Sequence, residues 1–240
     1  MKSIITIVMA LITTLGVSAR TLIVYYSYTN NIASIVNELQ SKIEADILKI
    51  EPTEKGLDYA ADNYAVGSSQ IAAIRNNPDN LDSYPPIDPV NVNLSEYDCI
   101  IIGAPLWWSS MAAPLQTFLF KHGGEMVGKN ICLIVSSASS GISGVEADAR
   151  RLIPNGTFIK PSLWIRSAQT QNAGTLLDDW LESINYKHLT SGITGIGQDR
   201  SDKYTVYSIS GMPLIIDAES TDELAYGIYI VNGKKVIISK

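Results

Sequence analysis

The chain has 240 residues, 46% hydrophobic and 18% charged, with a formal net charge of −6 and a sequence pI near 4.9. That length holds one ordinary domain plus an appendage, and the composition excludes a disordered chain. The acidic balance, with no basic patch against it, excludes nucleic acid as a partner.

The first nineteen residues stand apart. Lys2 supplies a positive start, Ile4 to Val17 is apolar apart from Thr and Gly, and Val17-Ser18-Ala19 fits a small-residue cleavage site. The run is too short for a comfortable membrane span. It reads as a cleaved secretory signal with Arg20 as the first mature residue; an uncleaved anchor or a core helix is the alternative. The expectation is an exported protein, in the periplasm, on the outer cell surface or secreted, with no stable membrane span after cleavage.

Thr21 to Val36, TLIVYYSYTNNIASIV, organises the rest of the chain. Leu22 to Tyr26 predicts a buried strand. Ser27-Tyr28-Thr29-Asn30-Asn31 is a tight polar loop, and Ile32, Ile35, Val36 and Leu39 recur at helical spacing. Such a loop gathers hydroxyls, amides and free backbone N–H groups at the positive end of a helix, which suits a phosphate. An ordinary βα turn would read the same way, and neither GxGxxG nor GxxxxGK[ST] is present.

Ala45 to Ile50 predicts a second strand. Glu51 to Asn93 is long and polar, with a helix at Tyr59 to Arg75 and a Pro-rich passage from Pro78 to Pro89. Tyr97 to Gly103 predicts a third strand, Ala104 to Ser110 a loop holding Trp107 and Trp108, and Ala112 to Phe120 a helix. Asn130 to Val135 predicts a fourth strand, followed by a small polar loop from Ser136 to Gly141 and a helix from Val145 to Leu152. A fifth strand, Phe158 to Ile165, and a last helix, Leu176 to Ile184, complete an alternation that specifies a parallel sheet covered on both faces. In such sheets the ligand lies beyond the carboxyl ends of the strands. There the three loops would converge into a site for a flat ring with a phosphate tail.

Cys99 and Cys132 each begin an apolar strand. Export would allow a disulfide, and two buried thiols on neighbouring strands fit equally well. A serine hydrolase is poorly supported, because Gly141-Ile142-Ser143-Gly144 lacks the GxSxG spacing and only His122 and His188 could serve as base. Two His and two Cys set far apart offer no metal-ligand spacing.

These residues resemble the flavodoxin-like family, in particular its exported group. The first loop there has the form S-x-S/T-G-N-T, against Ser27-Tyr28-Thr29-Asn30-Asn31-Ile32. The third strand runs into G-x-P-x-W-W, matched by Gly103-Ala104-Pro105-Leu106-Trp107-Trp108, and then P-x-x-x-F-L, matched by Pro114 to Leu119. The last loop, T-S-G-G-S-G in the family, is Ser136-Ser137-Ala138-Ser139-Ser140-Gly141 here. The resemblance covers roughly Thr21 to Tyr186. It implies a doubly wound five-stranded parallel sheet in the order 2-1-3-4-5 and FMN as cofactor. By position, Ser27, Tyr28, Thr29, Asn30, Asn31 and Ile32 would hold the phosphate. Pro105, Leu106, Trp107 and Trp108 would meet the isoalloxazine, and Ser136, Ser137, Ala138, Ser139 and Gly141 would flank its other side. Asn30 stands for a glycine and Ile32 for a hydroxyl donor, while Ala138 and Ser139 stand for two more glycines.

The stretch 187–203 is mixed in character, with Gly192, Gly195 and Gly197. It reads as a linker between a domain at 20–186 and a small all-β module at 204–240. In that module Tyr204 to Ser210 alternates, Gly211-Met212-Pro213 turns, and Asn232-Gly233 joins two further runs as a hairpin. VYSISG and GIYIVNGKKVIISK resemble the C-terminal sorting tails of type IX secretion. Together these expectations describe an exported flavodoxin-like FMN protein. It would transfer electrons to a redox partner protein, or act as an FMN-dependent oxidoreductase on a small-molecule acceptor. The alternative is a flavin-free binding protein of the cell envelope.

Overall fold

The computed structural model describes residues 19–190, 204–208, 212–218, 227–231 and 234–238. The expected signal (apart from Ala19), most of the expected linker and the expected Asn232-Gly233 turn lie outside the described residues. The chain divides into two compact units between Gly192 and Ile193.

In the first unit, strands β1 (Thr21–Tyr25), β2 (Asp46–Lys49), β3 (Cys99–Trp107) and β5 (Asn130–Ser137) pair in parallel in the order β2-β1-β3-β5. A two-residue strand, β4 (Ser110–Met111), folds back antiparallel on the end of β3. The fifth position is filled twice. β6 (Thr157–Phe158) pairs with the start of β5 and β7 (Leu163–Arg166) with its end. The expected single strand from Phe158 to Ile165 is thus broken around Lys160–Pro161, a cis bond, because Pro161 cannot donate to a ladder. The expected order 2-1-3-4-5 is otherwise the observed one.

Strand alternation divides the core in two. Leu22, Val24, Ile100, Ile102, Leu133 and Val135 face helices α2 (Ala61–Asn76), α3 (Ala113–His122) and α4 (Ser143–Leu152). Ile23, Tyr25, Ile101, Cys132 and Ile134 face α1 (Asn31–Gln40) and α5 (Ala173–Ser183). Cys99 and Cys132 are free and fully buried. A short α6 (Tyr186–Leu189) closes the unit: Tyr186 Oη lies 2.8 Å from Thr21 Oγ1, and the Thr190 carbonyl accepts from the Ala19 N–H. Arg20 starts the unit with an ion pair to Asp46 at 2.6 Å and another to Glu96, its guanidinium lying over the Tyr97 ring.

The second unit is a four-stranded antiparallel sheet, ordered β11 (Lys234–Ile238), β10 (Gly227–Val231), β8 (Tyr204–Ser208), β9 (Pro213–Ala218). Among the described residues no helix is long and apolar enough to cross a membrane.

Candidate functional site

The first loop leaves β1 and turns into α1 at Asn30, whose φ of 62° and ψ of −3° are left-handed. Asn adopts that region more readily than most residues, so it can stand where the family has glycine. The Asn30 side chain makes no capping bond. Instead Ser27 Oγ accepts from the Ala33 N–H at 3.2 Å, and the Asn30 carbonyl accepts from the Ser34 N–H. The N–H groups of Asn31 and Ile32 have no intrahelical acceptor and point out of the helix end. Asn31 Nδ2 donates to Thr29 Oγ1 at 3.1 Å, holding that exposed hydroxyl over the same end. The Ile32 side chain is 1% exposed and packs beneath the loop, so only its backbone is available to a ligand.

Beside this loop lies a cleft of about 380 Å³. Its floor is the end of β3, Leu106 and Trp107. Strand β3 runs four residues further than the spacing predicts, through the expected loop, and reverses at Trp108-Ser109 into β4. Both turn residues have positive φ, 45° and 59°, the pattern of a two-residue primed hairpin turn. The Trp107 ring stands edge-on to Tyr26 at 5.6 Å and lies 4.8 Å from Tyr59. Trp108, 42% exposed, meets Tyr64 at 6.4 Å. It also lies on Gly67 of α2: a Cβ there would stand 2.9 Å from the indole, so glycine is what lets the ring approach.

The far wall comes from the polar insertion, where the sequence reading places no site residue. Tyr59, Ala60, Tyr64 and Gly67 line the cleft opposite Tyr28, Thr29 and the tryptophans. Asp58 ties the two walls, accepting from Tyr28 Oη at 2.8 Å and from the Ala60 N–H at 2.9 Å. The Tyr28 hydroxyl, and then the backbone donor, hold its carboxyl below the usual carboxylate range. Burial, with Tyr59 beside it, pushes the Tyr26 phenol far up, so the ring behind Trp107 stays neutral. The available signal is Tyr59 and Tyr64, two of the three tyrosines in the insertion.

The third loop is placed differently. β5 includes Ser136 and Ser137, both buried, and the exposed loop begins only at Ala138. Ser136, Ser137, Ala138, Ser139 and Gly141 do not line the cleft. Ser137 Oγ donates to the Ser140 carbonyl and accepts from Trp164 Nε1 at 2.9 Å. Ser136 is in register with Pro105, and its buried hydroxyl has no hydrogen-bond partner. Beyond the loop α4 braces the hairpin from outside. A Cβ on Gly144 would meet the Ser109 carbonyl at 1.7 Å, and Asp148 Oδ2 accepts from the Met111 N–H at 2.9 Å. Five expected residues, Tyr28, Thr29, Leu106, Trp107 and Trp108, thus meet in one cleft. Ser27 and Asn30 to Ile32 form the adjoining helix end, and Pro105 sits one step down β3.

Solved structures share this architecture. A candidate flavoprotein from Bacteroides eggerthii superposes with a TM-score of 0.57 at 20% identity, covering 70% of this chain and 98% of its own. One from Bacteroides uniformis gives 0.55 at 22%, covering 67% and 99%. A flavoprotein from Lactobacillus acidophilus, solved in complex with FMN, gives 0.51 at 21%, covering 66% and 99%. No curated protein matches the chain. The flavodoxin family model matches residues 20–184, and the chain belongs to that family.

Proposed function

We propose that the chain binds FMN, with the phosphate at the α1 end and the isoalloxazine in the aromatic cleft, and that it works as an exported electron carrier or FMN-dependent reductase. The observation that carries this reading is the continuity of the two halves. A helix end with unspent N–H groups and two hydroxyls adjoins an aromatic cleft at the carboxyl edge of a parallel sheet. The residues present fit the group. No Lys or Arg lies between Ser27 and Ile32, so backbone dipoles and hydroxyls would neutralise the phosphate.

When bound, FMN supplies one- and two-electron chemistry; the protein supplies position and electrostatics. Trp107 and Trp108 give the ring an apolar, aromatic surround, contributing about 0.5–1.5 kcal/mol per pair beyond area burial. Asp58, kept ionised at the cleft, and the acidic chain as a whole disfavour further negative charge there, which lowers the potential. Tyr64, exposed beside Trp108, would give a small-molecule acceptor an aromatic edge at the mouth of the cleft, as a reductase needs. Export is supported by the pattern of the first nineteen residues. The resemblance of the last segments to type IX sorting tails, with four antiparallel strands in the second unit, supports delivery beyond the inner membrane.

The test is a titration of the purified chain with FMN, followed by absorption and FMN fluorescence. Stoichiometric quenching is expected. Thr29→Ala should weaken binding several-fold, and replacing Trp107 and Trp108 by Leu should shift the flavin potential. A protein indifferent to FMN at high micromolar concentration would turn the reading to a flavin-free binding protein, for which the lost donor at Ile32 is the reason.

A further inference from the structure

The Trp108-Ser109 turn holds positive φ in two residues that are not glycine, a conformation that persists only where the surroundings over-determine it. Three helices supply those surroundings. On α2, Arg75 Nη2 donates to the Trp108 carbonyl and to Ser110 Oγ, the latter at 2.9 Å. On α4, Gly144 leaves room for the Ser109 carbonyl. Met111, two residues past the turn, is buried, and both of its backbone polar groups are bound by side chains. Its N–H lies on the edge of β4 turned away from β3, since the next N–H, that of Ala112, is the one that donates to the Pro105 carbonyl. The Met111 N–H donates instead to Asp148 Oδ2 at 2.9 Å, and the Met111 carbonyl accepts from Gln116 Nε2 on α3 at 2.7 Å. Arg151 joins these two side chains. Its Nη2 donates to Gln116 Oε1 at 2.8 Å and to Asp148 Oδ1 at 3.3 Å, and its Nη1 to Tyr84 Oη at 2.9 Å. The bonds close a ring that runs from Met111 through Asp148, Arg151 and Gln116 back to Met111.

We infer that Arg151 is a positioning residue for the tryptophan pair, fixing through Asp148 and Gln116 the backbone on which Trp107 and Trp108 stand. It acts at one remove. By donating to Gln116 Oε1 it decides which way that buried amide points, and so presents Nε2 to the Met111 carbonyl. By donating to Asp148 Oδ1 it supplies the cation that keeps a mostly buried carboxylate in place under the Met111 N–H. A polar ring with every member satisfied is rigid, and one with a member missing is not. Trp107 faces Ser110 across the hairpin, and the two indoles lie 6.3 Å apart at 76°. That geometry belongs to the chain without FMN; its effect on a flavin rests on the function proposed above.

The test starts from the full chain without FMN. Two indoles in this arrangement give an exciton couplet in circular dichroism, assigned by its loss in Trp108→Phe. Arg151→Met, which keeps the stem and removes the donors, should lose most of the couplet, and Arg151→Lys, which restores a cationic donor, should recover part of it. Because Arg151 works through Asp148, Arg151→Met should remove less in an Asp148→Ala background than it does alone. With FMN added, affinity should fall about threefold to tenfold in Arg151→Met, the scale of one net hydrogen bond. In the unmodified chain, 15N resonances should show hindered rotation of the Arg151 Nη groups and slow exchange of the Met111 N–H. Free rotation of those groups, an unchanged couplet in Arg151→Met, or additive losses in the double variant would overturn the assignment. A chain that ignores FMN yet loses the couplet in Arg151→Met keeps the assignment and ends the flavin reading; one that binds FMN while the couplet stays unchanged does the reverse. The rotation is read in the unmodified chain, so the outcome stands even where a variant fails to fold.

Discussion

Asn30 shows what one position must satisfy. Its left-handed backbone directs the next two N–H groups out of the helix end, so the conformation matters more than the side chain, which caps nothing. Asn30→Ala should therefore lower stability by about 1–2 kcal/mol, whereas Asn30→Gly should be nearly neutral and keep FMN affinity. Thermal melting and an FMN titration of both variants check this; equal losses in both would mean that the amide itself binds. Tyr186 makes a second residue-scale case. Burial pushes its phenol up to about 12, and Thr21 only partly offsets this. The unfolded chain then releases that proton near pH 10 while the folded chain keeps it. Its contribution is whole below about pH 10 and is lost as pH rises from about 10 toward 12. Tyr186→Phe should flatten that alkaline loss, as read from denaturant midpoints across the window. The conformational tolerance of Asn30 and the missing donor at Ile32 follow from residue chemistry alone, and both are legible in the sequence. The roles of Tyr59 and Gly67 are not, because they arise only when a polar insertion folds back over the indoles.

At the scale of elements, periodicity locates the strands, and where it fails the cause is local. Ala104 to Trp107 reads as a loop because Pro105 interrupts the apolar run; the strand continues because its neighbours supply the pairing, with Ala104 and Pro105 in register with Val135 and Ser136. Pro213 reads as a turn residue, yet it opens β9, where a first-position proline is tolerated. The Trp108-Ser109 turn is the element where stability and function separate. Two non-glycine residues hold positive φ, at a cost that Asn-Gly would relieve. The double substitution Trp108→Asn with Ser109→Gly should therefore raise the melting temperature while weakening FMN binding, since one wall of the cleft is removed. A variant that melts higher and binds FMN as before would take Trp108 out of the site.

At the scale of the molecule, the two units make different demands on the chain. The first has two apolar layers on a parallel sheet, and its last buried anchor is Tyr186, with Thr190 closing on Ala19. The described closure of the first unit runs as far as Thr190, so the expectation is that it folds without the second. A chain ending at Gly192 should melt in one cooperative transition and titrate with FMN as the full chain does. One ending at Ile184 loses the Tyr186 ring, its bond to Thr21 and the Thr190 closure, and should be less stable by about 2–4 kcal/mol on the scale of a buried aromatic plus a hydrogen bond. For a unit of this size that is a fall in melting temperature of roughly 4–16 °C. If the Gly192 truncation instead lost its cooperative transition, residues 193–240 would belong to the folding unit, and the reading of them as a separable export module would fail with it.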